Sequence, residues 1–395
     1  MDILKVIGRK KNLFEEDLIS NEDKLNELIN KSSFLVIGAA GSIGQAVSKE
    51  IFKRNPNILH IVDLSENNLA ELVRELRSTF GYIDGEFKTY AIDFGSTEFK
   101  AMISQSSNYD YILNLSALKH VRSEKDPYTL MRLIEVNILN SLSIFELIDG
   151  NVLKKYFCVS TDKATNPINM MGASKRIMEM FLMNKKINIP VSTARFANVA
   201  FSDGSLLHSF NNRISKENPI SGPSDVLRYF ITPQESGQLC LFSCLLGETG
   251  DIFFPKLDKE IKLTSFKDIA ERYLNEIGYA PYFCETEEEA RKKTKELIPK
   301  KKWPCYFSAS DTTGEKKFEE FYTQEDKLNM TKFKNIGIIQ DLKKYDDNKL
   351  SNFLIELNQI KKTGNWKKEE LVSLFERTLD EFKHREDFKN LDQKM

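Results

Sequence analysis

Short apolar runs alternate along the first half of the chain with stretches whose apolar positions recur every three or four residues. The runs Phe34–Ile37, Leu59–Val62, Lys88–Ile92, Tyr111–Leu115, Tyr156–Val159 and Val191–Arg195 are four to five residues long and rich in β-branched and aromatic side chains, which predicts strands. Between them, helical periodicity predicts helices over Ile43–Phe52, Glu66–Thr79, Thr97–Ser104, Thr129–Leu147 and Ala173–Asn184. Strands that alternate with helices build a parallel sheet covered on both faces, with right-handed crossovers.

After Arg195 the pattern breaks up at Gly204, Pro219, Gly222, Pro223, Gly237, Gly247 and Gly250, and the spaced Leu and Phe of the tail lie among Lys, Glu and Asp. The expected organisation is a lead-in over 1–32, a sheet domain carrying the chemistry over 33–195, a smaller substrate lobe over 196–330 and a helical extension over 331–395.

The segment FLVIGAAGSIGQAVSKEIF sets a strand, then Gly38, Gly41 and Gly44, then a helix. The spacing is G-x-x-G-x-x-G, with Ala40 where the strict dinucleotide fingerprint has its second glycine. The physical logic survives: a tight strand exit, close backbone approach to a pyrophosphate, and a helix N-terminus with free N–H groups and positive dipole. The fold class is therefore α/β, a Rossmann-type doubly wound parallel sheet with a smaller C-terminal substrate lobe and C-terminal helices. Gly38, Ala40, Gly41, Ser42, Ile43 and Gly44 are expected to cradle the dinucleotide. Asp63 ends the next strand, where a carboxylate accepts from the adenosine ribose hydroxyls and repels a 2′-phosphate, so NAD is expected rather than NADP. Asp93 and Phe94 follow the third strand, at the adenine edge. Asn114, Ser116 and Ala117 follow the fourth and are expected along the dinucleotide.

Composition narrows the function classes. A formal net charge of −1 leaves no basic footprint for nucleic acid, and Lys300-Lys301-Lys302 is answered by Glu287-Glu288-Glu289 upstream. The five cysteines (Cys158, Cys240, Cys244, Cys284 and Cys305) form no CxxC and accompany no histidine cluster, so no metal site is expected and the thiols suit a reducing cytoplasm. The N-terminus lacks the apolar core of a signal peptide, and the longest apolar stretch, near Leu239–Leu246, is too short for a bilayer. A cytoplasmic chain without an integral membrane segment is expected.

The fifth strand runs into Ser160-Thr161-Asp162-Lys163, at the end of the sheet that faces the ligand crevice in such folds, and Lys175 follows on a helix. The run VSTDKATNPINMMGASKRIMEMF resembles the active-site signature of extended short-chain dehydrogenase/reductases that act on nucleotide sugars. Within these it most resembles the capsular polysaccharide biosynthesis family, which contains N-acetylglucosamine nucleotide 4,6-dehydratases. VIGRKKNLFEEDL, NLSALKHVRSEKDPYTLMRLIEVN, RFANVAFSDGSL and RYFITPQESGQL resemble further motifs of that family, and the likeness runs from about residue 5 to 325.

The resemblance implies oxidation of the hexose at C4, loss of water across C5 and C6, and return of the hydride to C6, with UDP- or GDP-N-acetylglucosamine as substrate for surface glycan or nonulosonic acid synthesis. It implies Thr161 at O4, Asp162 as acid toward the 6-hydroxyl, and Lys163 as base at C5, which requires a neutral amine and hence a depressed pKa. It implies Lys175 on the nicotinamide ribose and beside the 4-oxygen. Met171 stands where the superfamily usually has a tyrosine base. The configuration-retaining branch of the family also shows methionine there, which leaves the C4-hydroxyl base open between Thr161, through water, and Lys175.

Lys119, His120, Asn137 and Asn198 are further expected to meet cofactor or substrate, and Arg213 and Arg228 to hold the diphosphate. The segment around Gly314-Glu315-Lys316 resembles the family's RPGEK motif with Thr312-Thr313 in place of Arg-Pro. The family's long forms carry a transmembrane domain ahead of the lead-in. Apolar helix faces lead to the expectation of a homo-oligomer, dimer or higher. The competing readings are a nucleotide-sugar 4-epimerase, which needs no acid–base pair at C5 and C6, and a non-catalytic NAD-binding sensor.

Overall fold

The computed structural model describes residues 1–395 except 106–108, 149–151, 185–188, 258–260, 311–315, 317, 341–344 and 386–395. Its centre is a nine-stranded sheet in the spatial order Leu328–Asn329, Ile336–Gln340, Asp251–Pro255, Val191–Ala194, Lys155–Val159, Tyr111–Asn114, Ser33–Ile37, Ile58–Asp63 and Glu86–Ala91. The seven strands from Asp251–Pro255 to Glu86–Ala91 run parallel, and Ile336–Gln340 joins antiparallel to Asp251–Pro255. Ser33–Ile37 pairs with Ile58–Asp63 on one side and Tyr111–Asn114 on the other, so the chain order reverses at its carboxyl end. That is the switch point at which an open α/β sheet binds its ligand.

Burial explains the strands. Ser33–Ile37, Tyr111–Asn114, Lys155–Val159 and Asp251–Pro255 are buried at every position, whereas Glu86–Ala91, at the sheet edge, is nowhere fully buried. Two apolar clusters sandwich the sheet, centred on residues such as Phe34, Leu59 and Phe253 on one face and Leu35, Ile112 and Tyr156 on the other.

The helix expected over Thr129–Leu147 is not continuous. It passes from Pro127–Ile134 through a π turn, Glu135–Leu139, to Asn140–Ser143 and a 3-10 turn, Ile144–Glu146. The π turn presents Asn137, whose side chain is tied to Leu118 and Ser174; such turns recur where a helix serves a site.

Residues 196–330 are more helical than their glycines and prolines suggest, with helices Leu206–Ser215, Pro233–Leu246, Phe266–Glu276 and Glu287–Leu297. Pro233–Leu246 escapes periodicity because nearly its whole circumference is buried; it starts at a capping box between Thr232 and Glu235. Strand Asp251–Pro255 from this region joins the main sheet, while Ile220–Pro223, Ala280–Cys284 and Lys302–Ser308 form a separate small sheet. The C-terminal helices Asp347–Lys362 and Lys368–Thr378 bury Leu350, Phe353, Leu371 and Phe375 against Met170, Met171 and Ile177 of helix Met170–Leu182. All five cysteines are buried free thiols.

Candidate active site

The glycine loop leaves Ser33–Ile37 at the switch point. Gly38 turns with φ +73°, and its amide and that of Ala39 donate to Val62 O of the adjacent strand. A side-chain carbon on Gly44 would lie 2.0 Å from Gly38 O, so the first turn of helix Ser42–Phe52 closes directly on the loop. Gly41 is the N-cap and supplies no side-chain acceptor to the helix. The first amides of that helix are thus open to an anion. Asp63 accepts from Ala40 N and Ser65 N, both at 2.9 Å, one bond on each oxygen. A carboxylate has about four lone-pair sites, so Asp63 both shapes the loop and keeps acceptors for hydroxyl groups. Ser42 Oγ accepts from Asp203 N at 2.8 Å, which ties the cradle to the 202–204 turn; Lys119 Nζ, 3.5 Å from Ser202 Oγ, and the His120 ring beside Gly204 face the same turn. Ile43 packs against the apolar cluster beneath the loop.

The second group stands at the end of Lys155–Val159. Thr161 caps a 3-10 turn, Asp162–Ala164, and its hydroxyl donates to Asp162 Oδ1 at 2.9 Å. Lys163 Nζ donates to the same oxygen at 3.1 Å. Asp162 is buried, and Lys163 keeps about a fifth of its side chain exposed. Lys175 is buried on helix Met170–Leu182, and its Nζ donates to Val159 O at 3.0 Å. A side-chain carbon on Gly172 would lie 2.3 Å from Lys163 O, so this glycine allows the two elements to touch.

The electrostatics reverse one expectation. Burial opposes the Lys163 ammonium, but the Asp162 and Glu319 carboxylates outweigh it and raise its pKa above the ordinary lysine value. Lys175 by contrast has a depressed pKa, because burial dominates and no carboxylate bonds its Nζ.

Other expected site residues also make contacts within the scaffold. Asn137 accepts from Leu118 N and donates to Leu118 O and Ser174 Oγ, which uses its amide on the loop before Lys119 and the helix of Lys175. Fully buried Asn114 donates to Tyr156 Oη and Ser141 Oγ and accepts from Ser116 N. Asp93 accepts from Gly95 N and pairs with Arg132 at 2.7 Å, while Phe94 packs edge-on against Phe99. Ala117 packs on the main apolar cluster. Asn198 pairs with Tyr229 O through its backbone amide, and Arg213 donates to Pro219 O. Arg228 is buried and donates to Leu227 O and Lys316 O. Met171 is buried, and its amide donates to Glu124 Oε1 at 3.1 Å. Thr312, Thr313, Gly314 and Glu315 lie outside the described residues.

Four residues escape a reading by motif. Glu319 puts a buried carboxylate 3.7 Å from Lys163 Nζ. Arg195 and Glu179 form a buried pair behind the site. His384, from the tail, meets Glu124 Oε2 at 3.0 Å. Glu319 and His384 lie 156 and 260 residues from their partners, and Arg195 meets Glu179 from the next element, 16 residues on, so no local spacing announces them, although the Glu319-Glu320 pair follows Lys316 closely.

The family model described as polysaccharide biosynthesis protein matches residues 34–341. An uncharacterized membrane protein of Methanocaldococcus jannaschii is 27% identical over 323 residues, 80% of this chain and 87% of that protein. A capsular polysaccharide biosynthesis protein of Staphylococcus aureus is 30% identical over 67% of this chain, a match that spans only 43% of its own length. A UDP-N-acetylglucosamine 4,6-dehydratase (inverting) of Campylobacter jejuni is 28% identical over 58% of this chain and 68% of its own. Among solved structures, Pen from Bacillus thuringiensis superimposes with a TM-score of 0.63 at 20% identity, covering 84% of this chain and 98% of that one. A UDP-glucose 4-epimerase of Thermotoga maritima does so at 0.54 and 17% identity, over 74% and 90%. Both share the fold.

Proposed function

The chain belongs to the polysaccharide biosynthesis protein family, and from that premise we propose that it is a nucleotide-sugar 4,6-dehydratase acting on UDP- or GDP-N-acetylglucosamine. The observation that carries the reading is the contact of Asp162 Oδ1 with both Thr161 Oγ1 and Lys163 Nζ at the carboxyl end of the sheet. An adjacent acid and amine is what elimination of water from neighbouring carbons requires, and a C4 epimerase has no use for it. The similarity to a UDP-N-acetylglucosamine 4,6-dehydratase supports the same reading.

The glycine cradle, the uncapped helix start and Asp63 fit a nicotinamide dinucleotide, NAD in preference to NADP because Asp63 would repel a 2′-phosphate. When bound, that cofactor supplies reversible hydride acceptance at C4 and hydride return at C6. The first amides of helix Ser42–Phe52 would hold its pyrophosphate, and Lys175 would bond its ribose beside the sugar's 4-oxygen. Thr161 hydrogen-bonds O4, Asp162 gives a proton to the departing 6-hydroxyl, and Lys163 takes the proton from C5. Met171 has no proton to exchange, so the proton on O4 passes through Thr161 or Lys175. Arg228, close to Lys163, and Arg213 serve the diphosphate.

Incubation with UDP- and GDP-N-acetylglucosamine followed by mass spectrometry tests the reading. Loss of one water identifies the dehydratase; an unchanged mass with new C4 stereochemistry identifies the epimerase and rejects it.

A further inference from the structure

The acid–base group has a third member that its sequence motif does not contain. Glu319 is buried, with 4% of its side chain exposed, and its Oε1 lies 3.7 Å from Lys163 Nζ. Its Oε2 has no hydrogen-bond partner among the described residues. Lys316 Nζ approaches Oε2 to 3.8 Å but donates to Thr165 O and Asn166 O. Arg228 adds a further positive charge acting on both Lys163 and Glu319. A buried carboxylate oxygen without a donor is costly, and such groups persist where they serve a site.

Lys163 therefore has two carboxylates beside it, Asp162 and Glu319, while the Arg228 charge acts on it and Lys316 Nζ lies 3.8 Å from Glu319. A base at C5 must be a neutral amine, and this setting favours the ammonium. Of the two carboxylates, Asp162 is hydrogen-bonded to Thr161 and Lys163, whereas Glu319 keeps an oxygen free to take a proton.

We propose that Glu319 is a positioning residue of the acid–base group: its carboxylate holds Lys163 as the ammonium in the resting enzyme, and the neutral base forms when that carboxylate takes a proton from Lys163. The proposal rests on the dehydratase reading for its role in turnover, though not for the electrostatic pairing itself. Burial supports the proton-accepting role, since it pushes the Glu319 carboxyl up against the opposing pull of Lys163. A unit charge about 4 Å away at an effective dielectric near 20 amounts to roughly three pK units before screening.

The test is trace acylation of the full-length chain across a pH series, with Lys163 reactivity followed by peptide mass mapping. The wild type is compared with Glu319→Gln and Glu319→Asp. The Lys163 midpoint should fall by at least about one unit in Glu319→Gln, and by less in Glu319→Asp, whose shorter arm retracts the charge. In turnover, the rising limb of kcat/KM against pH should move to lower pH in the same order. A merely structural role would lower the rate and leave both midpoints where they are, and that result overturns the proposal. Should Glu319→Gln not fold, an unchanged midpoint in Glu319→Asp overturns it equally. Labelling needs no turnover: a shifted midpoint in a chain that eliminates no water from any sugar nucleotide would reject the dehydratase reading alone.

Discussion

Arg195 clamps Glu179 in the interior behind the site, with Nε donating to Oε1 at 3.0 Å and Nη2 to Oε2 at 2.7 Å. The remaining nitrogen, Nη1, donates to Thr165 Oγ1 and to Phe321 O. Ser160 Oγ also donates to Glu179, at 2.6 Å. One guanidinium thus joins the end of strand Val191–Ala194, the helix of Lys175, the turn after Lys163 and the segment that carries Glu319.

Arg195→Met should leave Glu179 buried with only Ser160 and the more distant Arg176. Removal of one partner from a buried pair costs about 3–5 kcal/mol. Denaturant unfolding of the purified chain measures it, and a loss below about 1 kcal/mol would contradict the clamp. Arg195→Lys should recover only part of the loss, because an ammonium cannot match both oxygens.

Lys175→Met should raise stability at neutral pH while it stops turnover. Burial depresses the Lys175 pKa, so the unfolded chain binds more protons than the folded one between that depressed value and the ordinary lysine value of 10.5. Stability contributed by this residue therefore rises with pH through that window, and below it the ammonium is a standing cost. Methionine removes the charge beside Met178 and Cys158. Melting temperatures measured from neutral pH upward should be higher at neutral pH in the variant and should climb less steeply; a lower neutral melting temperature would contradict the burial account.

Asp162→Asn should lower elimination by about 10²–10⁴-fold, the usual worth of a positioned proton donor. Asparagine keeps the size of the side chain and an oxygen for Thr161 and Lys163 but not the charge that holds the Lys163 ammonium, so some thermal stability should be lost as well. Mass spectrometry of the sugar nucleotide follows water loss, and an unchanged rate would remove Asp162 from the acid role.

Gly44→Val should abolish retention of the dinucleotide. The added carbon would meet Gly38 O at 2.0 Å and the backbone of Ala39 at 2.7 Å, so the loop itself must move. Cofactor released by denaturing the purified variant, measured by absorbance, should fall at least tenfold relative to the unsubstituted chain.

Phe382→Ala should cost about 3–5 kcal/mol, as truncation of a fully buried aromatic does. Phe382 packs in the cluster that also holds Met170 and Met171, which places the tail against the first turn of the Lys175 helix. Loss of stability without loss of this magnitude in a Phe80→Ala control, which is 39% exposed, would separate core packing from hydrophobicity in general.

The local pattern carries a great deal in this chain. Short apolar runs mark all six leading strands, and apolar positions every three or four residues mark the helices between them. The glycine cradle and the run Thr161-Asp162-Lys163 are contiguous in sequence, so their chemistry is legible without a fold. What periodicity misses is equally specific: helix Pro233–Leu246 is buried all round and so has no polar stripe, and the helix over 127–146 changes type at Asn137 to meet Leu118.

By itself, then, the sequence determines the parallel sheet, the glycine-rich loop and which carboxyl and amine side chains stand at the end of the fifth strand. The tertiary structure decides their charge. Whether a buried lysine such as Lys163 or Lys175 has a raised or a depressed pKa depends on which carboxylates come within a few ångströms, and Glu319 lies 156 positions along the chain from Lys163. Electrostatic energy falls with distance in space, not in sequence. The same holds for Asn137 and Asn114, whose amides were free to serve a ligand until folding brought Leu118, Ser174, Tyr156 and Ser141 to them.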